Sequence, residues 1–356
     1  MRHGMEFGKF RTMQFPREVY VGHSVLETVV QVVNTNLRNG SVMIVTGEKT
    51  KDLAGKEVKR LLEQSKLDTN LIRTGAADED NLETVIEESR YAGAGIIVGV
   101  GGGSKIDLGK RAAYELNIPL ISVPTSPSHD GIASPRASIK RNGCTLSEDA
   151  IMPVAIIADT SVMVKAPFKY LQSGAADVIS NETAILDWKL ANRLHAEDFS
   201  TSAAALSQYA SRELIEKAHM ILPGVEESVW LVTKQILASG TAMAIASSSR
   251  PASGSEHLLA HALQQSSPGT SIHGEQCAMG SVVSMFLHGG DWQSLVNTYS
   301  KFGLSIKAKD YSITDTIMIN ALRTAHAIRP ERYTILGESD LSYAVAERAL
   351  EVTGII

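Results

Sequence analysis

The sequence predicts an α/β N-terminal domain with a Rossmann-like parallel sheet, followed by an all-α C-terminal domain. Three observations carry that reading. Short apolar runs alternate with helical stretches over the first 125 residues; the clearest of these runs ends in Gly101-Gly102-Gly103; and from Pro167 onward almost every segment has helical period. Strands spaced by helices pair in parallel through crossovers, the pattern of a doubly wound sheet. The boundary falls near Lys165, giving domains over residues 1–165 and 166–356 with no flexible linker, internal repeat or low-complexity tract.

The elements follow in order. Val19–Val21 reads as an opening strand, and Val25–Leu37 as an amphipathic helix with Ser24 in the N-cap position. Val42–Thr46 is a continuous apolar run ended by Gly47, as expected of a strand buried on both faces. Lys51–Gln64 has helical period, Thr69–Ile72 reads as a strand, and Asp80–Tyr91 is helical. Gly95–Val100 is a strand, then come the three glycines and a helix over Lys105–Leu116; Pro119–Val123 closes the series. Ser126–Ala137 is dense in Ser, Pro, Gly and Asp, too polar for a regular element, and reads as a site loop. Ala137–Lys140 and Ala155–Ala158 are β-like, and Asn142-Gly143 is a hairpin-turn dipeptide between Ile139 and Thr145. Helices are expected at Asp177–Asn192, Ser202–Ala218, Glu227–Ala246, His257–Gln264, Gly274–Leu287, Trp292–Phe302, Ile313–Ala325 and Leu341–Thr353.

Composition narrows the class. Of 356 residues 44% are apolar and 21% charged, too apolar for disorder, and the net charge of −5 offers no basic surplus for nucleic acid or an anionic membrane. Two cysteines, Cys144 and Cys277, make neither a disulfide framework nor a cysteine-rich zinc site, which fits a reducing cytoplasm. The opening MRHGMEFGKFRTMQF lacks the apolar core of a signal peptide, and the longest apolar stretch, Trp230–Ala246, is broken by Lys234 and Gln235, so no membrane span is expected. At this size an enzyme is the leading expectation.

Two places carry chemistry. Gly99-Val100-Gly101-Gly102-Gly103-Ser104 lies between a buried strand and a helix, where free backbone N–H groups and the helix dipole suit a diphosphate. Ser104 stands where the dinucleotide fingerprint has its third glycine, and the Walker pattern is absent, so a tight turn needing positive φ is the alternative. The strand Val42–Thr46 ends in Gly47-Glu48, so an acid for the nucleotide ribose must be Glu48; glycine at the strand end repels a 2′-phosphate less, and NADP(H) is expected beside NAD(H).

The second place lies in the helical half. His257 and His261 stand four apart and project from one helix face; His273 follows twelve residues on, after the break Ser266-Ser267-Pro268-Gly269-Thr270. Gly174-Ala175-Ala176-Asp177 sets an acid at the start of an expected helix, whose dipole favours the ionised form. Two or three histidines and an aspartate with room for substrate make the ligand set of an open catalytic zinc site. The alternatives are a chance histidine pair and an N-cap aspartate. Glu182 and Asp187 read as surface charges, Cys277 as a small buried thiol rather than a ligand, and His3, His23, His195, His219, His288 and His326 as structural or exposed. The metalloprotease pattern HExxH and the serine-hydrolase elbow are absent.

Residues 99–107 (Gly-Val-Gly-Gly-Gly-Ser-Lys-Ile-Asp), Pro124-Thr125-Ser126, Gly174–Asp177, Gly254-Ser255-Glu256-His257 and His273-Gly274-Glu275 follow one another in the order of the iron-containing alcohol dehydrogenase, glycerol dehydrogenase and dehydroquinate synthase superfamily, which the chain resembles over about residues 15 to 350. The loop Ser126–Pro135 further resembles the sn-glycerol-1-phosphate dehydrogenases, archaeal-type enzymes that make the glycerol phosphate backbone of ether lipids. The resemblance implies cofactor binding by Gly102, Gly103, Ser104, Lys105 and Ile106, by Thr125, Ser126, Pro127 and Ser128, and by Ser134 nearby. It implies that Asp177, His257 and His273 hold one zinc ion per subunit, that Asp130, Asp177 and His261 contact substrate, and that His261 is not a fourth ligand. It implies hydride transfer from NAD(H) or NADP(H) to dihydroxyacetone phosphate, giving glycerol 1-phosphate, in a homo-oligomer. Gly47 departs from the acidic residue the superfamily uses after that strand. A proton relay through His261 or metal-bound water, and a phosphate seat at Arg136, Lys165 or Arg250, are open candidates.

The rivals are a glycerol dehydrogenase acting on the unphosphorylated triol, a dehydroquinate synthase, and a nucleotide-sensing module without catalysis. The loop around His129-Asp130 favours the phosphate; the site segments hold few cations for a phosphorylated sugar acid; and a sensor has no reason to retain metal.

Overall fold

The computed structural model describes residues 12–141 and 144–356; the stretch holding His3 and the Asn142-Gly143 turn lie outside the described residues. Six strands form one parallel sheet in the order β1-β8-β5-β4-β2-β3: β1 (Glu18–Gly22), β2 (Ser41–Thr46), β3 (Thr69–Arg73), β4 (Ala94–Gly101), β5 (Leu120–Pro124) and β8 (Ala155–Asp159). Between them run α1 (Thr28–Asn36), α2 (Glu48–Thr50), which passes through a π-helical turn at Lys51–Gly55 into α3 (Lys56–Gln64), α4 (Glu79–Tyr91) and α5 (Gly103–Leu116). β6 (Arg136–Arg141) and β7 (Cys144–Asp149) pair antiparallel as a separate hairpin.

The two-residue period of the strands builds both faces of this sheet. Val42, Ile44, Ile96, Val98, Val100, Ile121 and Val123 pack on one side against Val29, Val33, Val58 and Leu62 of α1 and α3. Met43, Val45, Ile97 and Leu120 pack on the other against Leu82 and Val85 of α4 and Leu108 and Ala112 of α5. The chain reverses direction along the sheet between β2 and β4, so Gly47 and Gly101 end neighbouring strands at the switch point, where open α/β sheets bind ligands.

The remainder is helical: α6 (Thr160–Met163), α7 (Phe168–Ile179), α8 (Asn181–His195), α9 (Thr201–Glu216), α10 (Glu226–Ala246), α11 (Ser255–Ser266), α12 (His273–Leu287), α13 (Trp292–Lys301), α14 (Asp315–Thr324) and α15 (Tyr343–Thr353). Its core also takes in Ile106, Ile132, Ile156 and Ala158, so the two halves share one apolar interior. Among the described residues α10 alone is long and apolar enough to cross a membrane by length and composition, and most of its apolar window is buried in this core.

Three expectations are corrected. α1 begins at Thr28 with Glu27 as its N-cap residue, because Ser24 has φ +55° and its N–H, with that of Leu26, is taken by the Asp159 carboxylate at 3.2 and 2.9 Å. Asp177 lies in the last turn of α7, not at a helix start, since the chain bends at Ser180 before α8. Asp187 is fully buried and Glu182 partly buried, with Glu182 accepting from Ser211 Oγ at 2.6 Å; neither is a surface charge.

Candidate metal centre and active site

Four side chains from three helices meet. Asp177 comes from the end of α7, His257 from the first turn of α11, and His273 and Cys277 from successive turns of α12. Their donor atoms all lie within 4.8 Å of one another. Asp177 Oδ1 is 3.3 Å from His257 Nε2 and 3.4 Å from His273 Nε2, and the two Nε2 atoms are 3.3 Å apart. Cys277 Sγ, buried as expected, lies 3.7 and 3.5 Å from the same nitrogens. The small residues around this point are what let the helices close: a Cβ at Gly274 would lie 2.0 Å from the backbone oxygen of Ser173, so α12 could not approach α7 with any larger residue there.

The cluster fits a divalent cation. Asp177 Oδ1 is buried without a hydrogen-bond donor among the described residues, an orphan that a cation would satisfy. Burial pushes the Asp177 carboxyl up, but the His257 and His273 rings more than offset this and hold it well below its ordinary value. Burial pulls both imidazoles down, yet the Cys277 sulfur and Asp177 outweigh it, raising His273 to about 10 and His257 well above its usual value. The carboxylate–imidazole set is a borderline-soft donor group of the kind zinc takes.

A second layer of polar groups orients these donors. Glu256, fully buried, receives the N–H of Gly254 at 2.5 Å, the Thr183 hydroxyl at 3.0 Å and His257 Nδ1 at 3.0 Å. Asp187 receives the N–H and hydroxyl of Ser255 at 2.6 and 2.5 Å, with His288 Nε2 at 2.9 Å and the N–H of Ile335 at 2.7 Å, and so anchors the start of α11. Ser173 Oγ donates to Ser128 O and accepts from the N–H of Gly274, each at 3.0 Å, tying the site loop to both α7 and α12.

The glycine turn stands beside this cluster. α5 begins at Gly103, two residues earlier than its periodicity suggests, so Gly102 and Gly103 sit at the helix N-terminus and Ser104 is exposed in the first turn. A Cβ at Gly103 would lie 1.7 Å from His129 Nε2, so the His129 ring rests directly on the turn. His129 is in turn 6.5 Å, centroid to centroid, from His273. Ile106 points into the core, so it offers the turn only backbone. The Lys105 chain crosses Gly47 and Gly101 at the switch point and donates to Gly75 O; burial pulls its amine below the usual value. Thr125 and Ser126 are buried, the N–H of Thr125 bonding Gly101 O at 3.0 Å, and Pro127 packs near Gly174. Ser134 is buried with its hydroxyl 3.4 Å from Gly131 O.

The loop is held by a residue that sequence reasoning missed. Lys110, fully buried on α5, pairs with Asp107 at 2.7 Å and donates to Gly131 O at 2.6 Å and to Arg136 O. Nothing local marks a lysine as internal. Asp130 opens a 3-10 turn; its N–H bonds Asp177 Oδ2 at 2.9 Å and its Oδ2 receives the Ser239 hydroxyl at 2.8 Å. Enclosure and the neighbouring Asp177 push its carboxyl up to about 7. Ser239 accepts from Asn181 at 3.0 Å, a buried relay the sequence did not reveal.

Asp130, His257, His261 and His273 line one cavity with Ser134, Arg136 and Arg329. His261 is not in the metal group: its ring centroid is 6.4 Å from that of His257, and its buried Nδ1 has no hydrogen-bond partner among the described residues. Desolvation and the His273 and His257 rings pull it well below its ordinary value. Of the cations the sequence offered, only Arg136 reaches this cavity. Arg250 is closed off by Glu197, 2.7 Å from its Nε, and by Tyr333 O at 2.8 Å, while Lys165 is exposed elsewhere. Arg329, which the sequence did not single out, lines the cavity with a guanidinium that makes no hydrogen bond or ion pair to any described residue, whereas Arg136 is engaged by Asp149 and Ser147.

Comparison with known proteins agrees with this layout. The family model described as iron-containing alcohol dehydrogenase matches residues 20–167. The glycerol-1-phosphate dehydrogenase [NAD(P)+] of Picrophilus torridus is 59% identical over 352 residues, 99% of this chain and 100% of that one. The protein of that name from Methanosarcina barkeri is 47% identical, over 97% of this chain and 96% of its own. Among solved structures, the glycerol dehydrogenase of Schizosaccharomyces pombe superposes with a TM-score of 0.80 at 19% identity, covering 97% of this chain and 90% of its own, which shows the shared fold. The chain therefore belongs to the glycerol-1-phosphate dehydrogenase family.

Proposed function

We propose that this chain is an NAD(P)H-dependent oxidoreductase that reversibly reduces dihydroxyacetone phosphate to sn-glycerol 1-phosphate with the help of one zinc ion per subunit, supplying the glycerophosphate of archaeal-type ether lipids. The observation that carries the reading is the convergence of Asp177, His257 and His273 beside a glycine turn at the switch point of a parallel sheet. Full-length identity to proteins named for this activity supports it. A cytoplasmic homo-oligomer belongs to the same reading and rests on the family resemblance.

Each residue has a task in it. Gly102 and Gly103 leave the N-terminus of α5 open to the cofactor diphosphate, and Thr125 to Ser128 flank it. Zinc held by Asp177, His257 and His273 would supply a Lewis acid for the substrate carbonyl. Asp130 and His261 face the same cavity and can hydrogen-bond the substrate hydroxyl, Asp130 held in place by Ser239. Gathering both reactants in one cleft removes much of the entropic barrier of a bimolecular transfer. The Arg329 guanidinium favours a phosphorylated substrate over neutral glycerol, because it lines the cleft without forming an ion pair with any described carboxylate and is suited to an anion.

The deciding experiment assays purified protein with dihydroxyacetone phosphate and with dihydroxyacetone, using NADH and NADPH in turn, with chiral analysis of product and metal analysis of protein. The sn-1 enantiomer from the phosphate is expected. Preference for the unphosphorylated ketone would turn the reading to glycerol dehydrogenase, and full activity without metal would overturn the assisted mechanism.

A further inference from the structure

We infer that Cys277 would serve as a fourth protein ligand, beside Asp177, His257 and His273, to a metal ion held in this cluster. The inference rests on the reading that a divalent ion occupies this cluster.

The distances between donors carry it. Around a tetrahedral zinc with N and O donors at ~2.0–2.1 Å and S at ~2.3 Å, the edges come to ~3.3–3.4 Å between N or O atoms and ~3.5–3.6 Å between N and S. The structure has 3.3 Å between the two Nε2 atoms, 3.3 and 3.4 Å from them to Asp177 Oδ1, and 3.7 and 3.5 Å from them to Cys277 Sγ. Five of the six edges come close to these values, those to sulfur being the longer ones, and the sixth, from Asp177 Oδ1 to Cys277 Sγ, lies within 4.8 Å.

Hydrogen bonding does not account for the same arrangement. His257 Nδ1 faces the Glu256 carboxylate at 3.0 Å and so carries the proton whenever the ring is neutral, as a metal ligand must be. Its Nε2 is then a lone pair, aimed at a carboxylate oxygen, a second imidazole nitrogen and a sulfur. If both rings were protonated, two N–H groups would instead face each other at 3.3 Å. A single thiol proton can serve only one of its neighbours. Four donor atoms gathered within 4.8 Å of one another, with Asp177 Oδ1 left without a hydrogen-bond donor, are relieved by a cation among them.

The chain is also built for it. His273 and Cys277 stand one turn apart on α12 and reach from the same face, a chelating pair on a rigid element. Cys277 is buried in the helical core, so its sulfur has no competing solvent contact. One carboxylate and one thiolate neutralise a divalent charge, and the soft sulfur favours zinc over magnesium or manganese. A substrate oxygen would then have to add to four protein donors, a number of ligands that zinc can accommodate.

Zinc-edge X-ray absorption of the wild-type protein loaded with one equivalent of zinc tests this without any variant. One sulfur scatterer at ~2.3 Å supports the inference, and a shell of nitrogen and oxygen alone overturns it while leaving the metal reading intact. Failure to retain zinc at all would overturn both. In the cobalt-substituted protein, a near-ultraviolet thiolate-to-cobalt band is expected in the wild type and in Cys144→Ser, and its loss in Cys277→Ser; a band that persists in Cys277→Ser would defeat the assignment. Zinc affinity of Cys277→Ala, measured by chelator competition, is expected to fall by about tenfold or more.

Discussion

Glu256 Oε1 lies 3.0 Å from Nδ1 of His257, and this one contact decides which nitrogen of the imidazole points at Asp177. The carboxylate is itself held by Gly254 and Thr183, so the ring cannot turn without breaking a buried network.

Glu256→Gln should therefore weaken zinc binding by about 10–100-fold, the usual effect of removing a group that orients a metal-ligating histidine. Chelator competition measures it. Affinity equal to the wild type would show that Glu256 is merely structural.

Arg329→Gln should separate the two ketone substrates. Loss of a charge-assisted contact worth ~1.5–3 kcal/mol predicts a fall of about 10–100-fold in kcat/KM for dihydroxyacetone phosphate, with dihydroxyacetone much less affected. Arg329→Lys should recover part of the loss, since charge survives although the fork does not. Equal losses on both ketones would remove Arg329 from phosphate recognition.

For Asp130→Asn, the expected outcome is a raised KM or lowered kcat with zinc still bound, because the metal group comprises Asp177, His257, His273 and Cys277 and not Asp130. Ser239→Ala, which removes the hydroxyl donating to Asp130 Oδ2 at 2.8 Å, should move the same parameters by less. Metal lost from Asp130→Asn would place that carboxylate among the ligands.

At Gly274 a single methyl group is enough to part the helices. Its Cβ would stand 2.0 Å from Ser173 O, so Gly274→Ala must push α12 away from α7 and His273 away from Asp177. Overpacking of this kind costs about 1–3 kcal/mol, readable in chemical denaturation, and zinc should be lost in parallel. An alanine variant as stable and as metal-replete as the wild type would refute the close-approach account.

Much of this architecture was legible before any coordinates. The runs Val42–Thr46 and Gly95–Val100 became the two strands at the switch point, because a segment apolar on both faces has few other places to go. His257, His273 and Asp177 were singled out from residue type and spacing, and they meet. The position of Asp177 was misread: Gly174-Ala175-Ala176-Asp177 is equally good inside a helix, and the break falls at Ser180, where no proline or glycine announces it. Asp187 looked like a solvated charge, since its partners Ser255, His288 and Ile335 lie 68 to 148 residues away.

The sequence by itself determined the succession of strands and helices, the glycine turn and three of the donors, because these depend on period, local conformation and residue chemistry. Only the tertiary structure decided that Cys277 lies in the candidate metal group, and that Arg329 rather than Arg250 is left facing the cavity. The reason is physical: Cys277 and His261 each stand one helical turn from a candidate donor and are equivalent in the sequence, and the helix packing alone turns Cys277 into the donor cluster and His261 to the cavity.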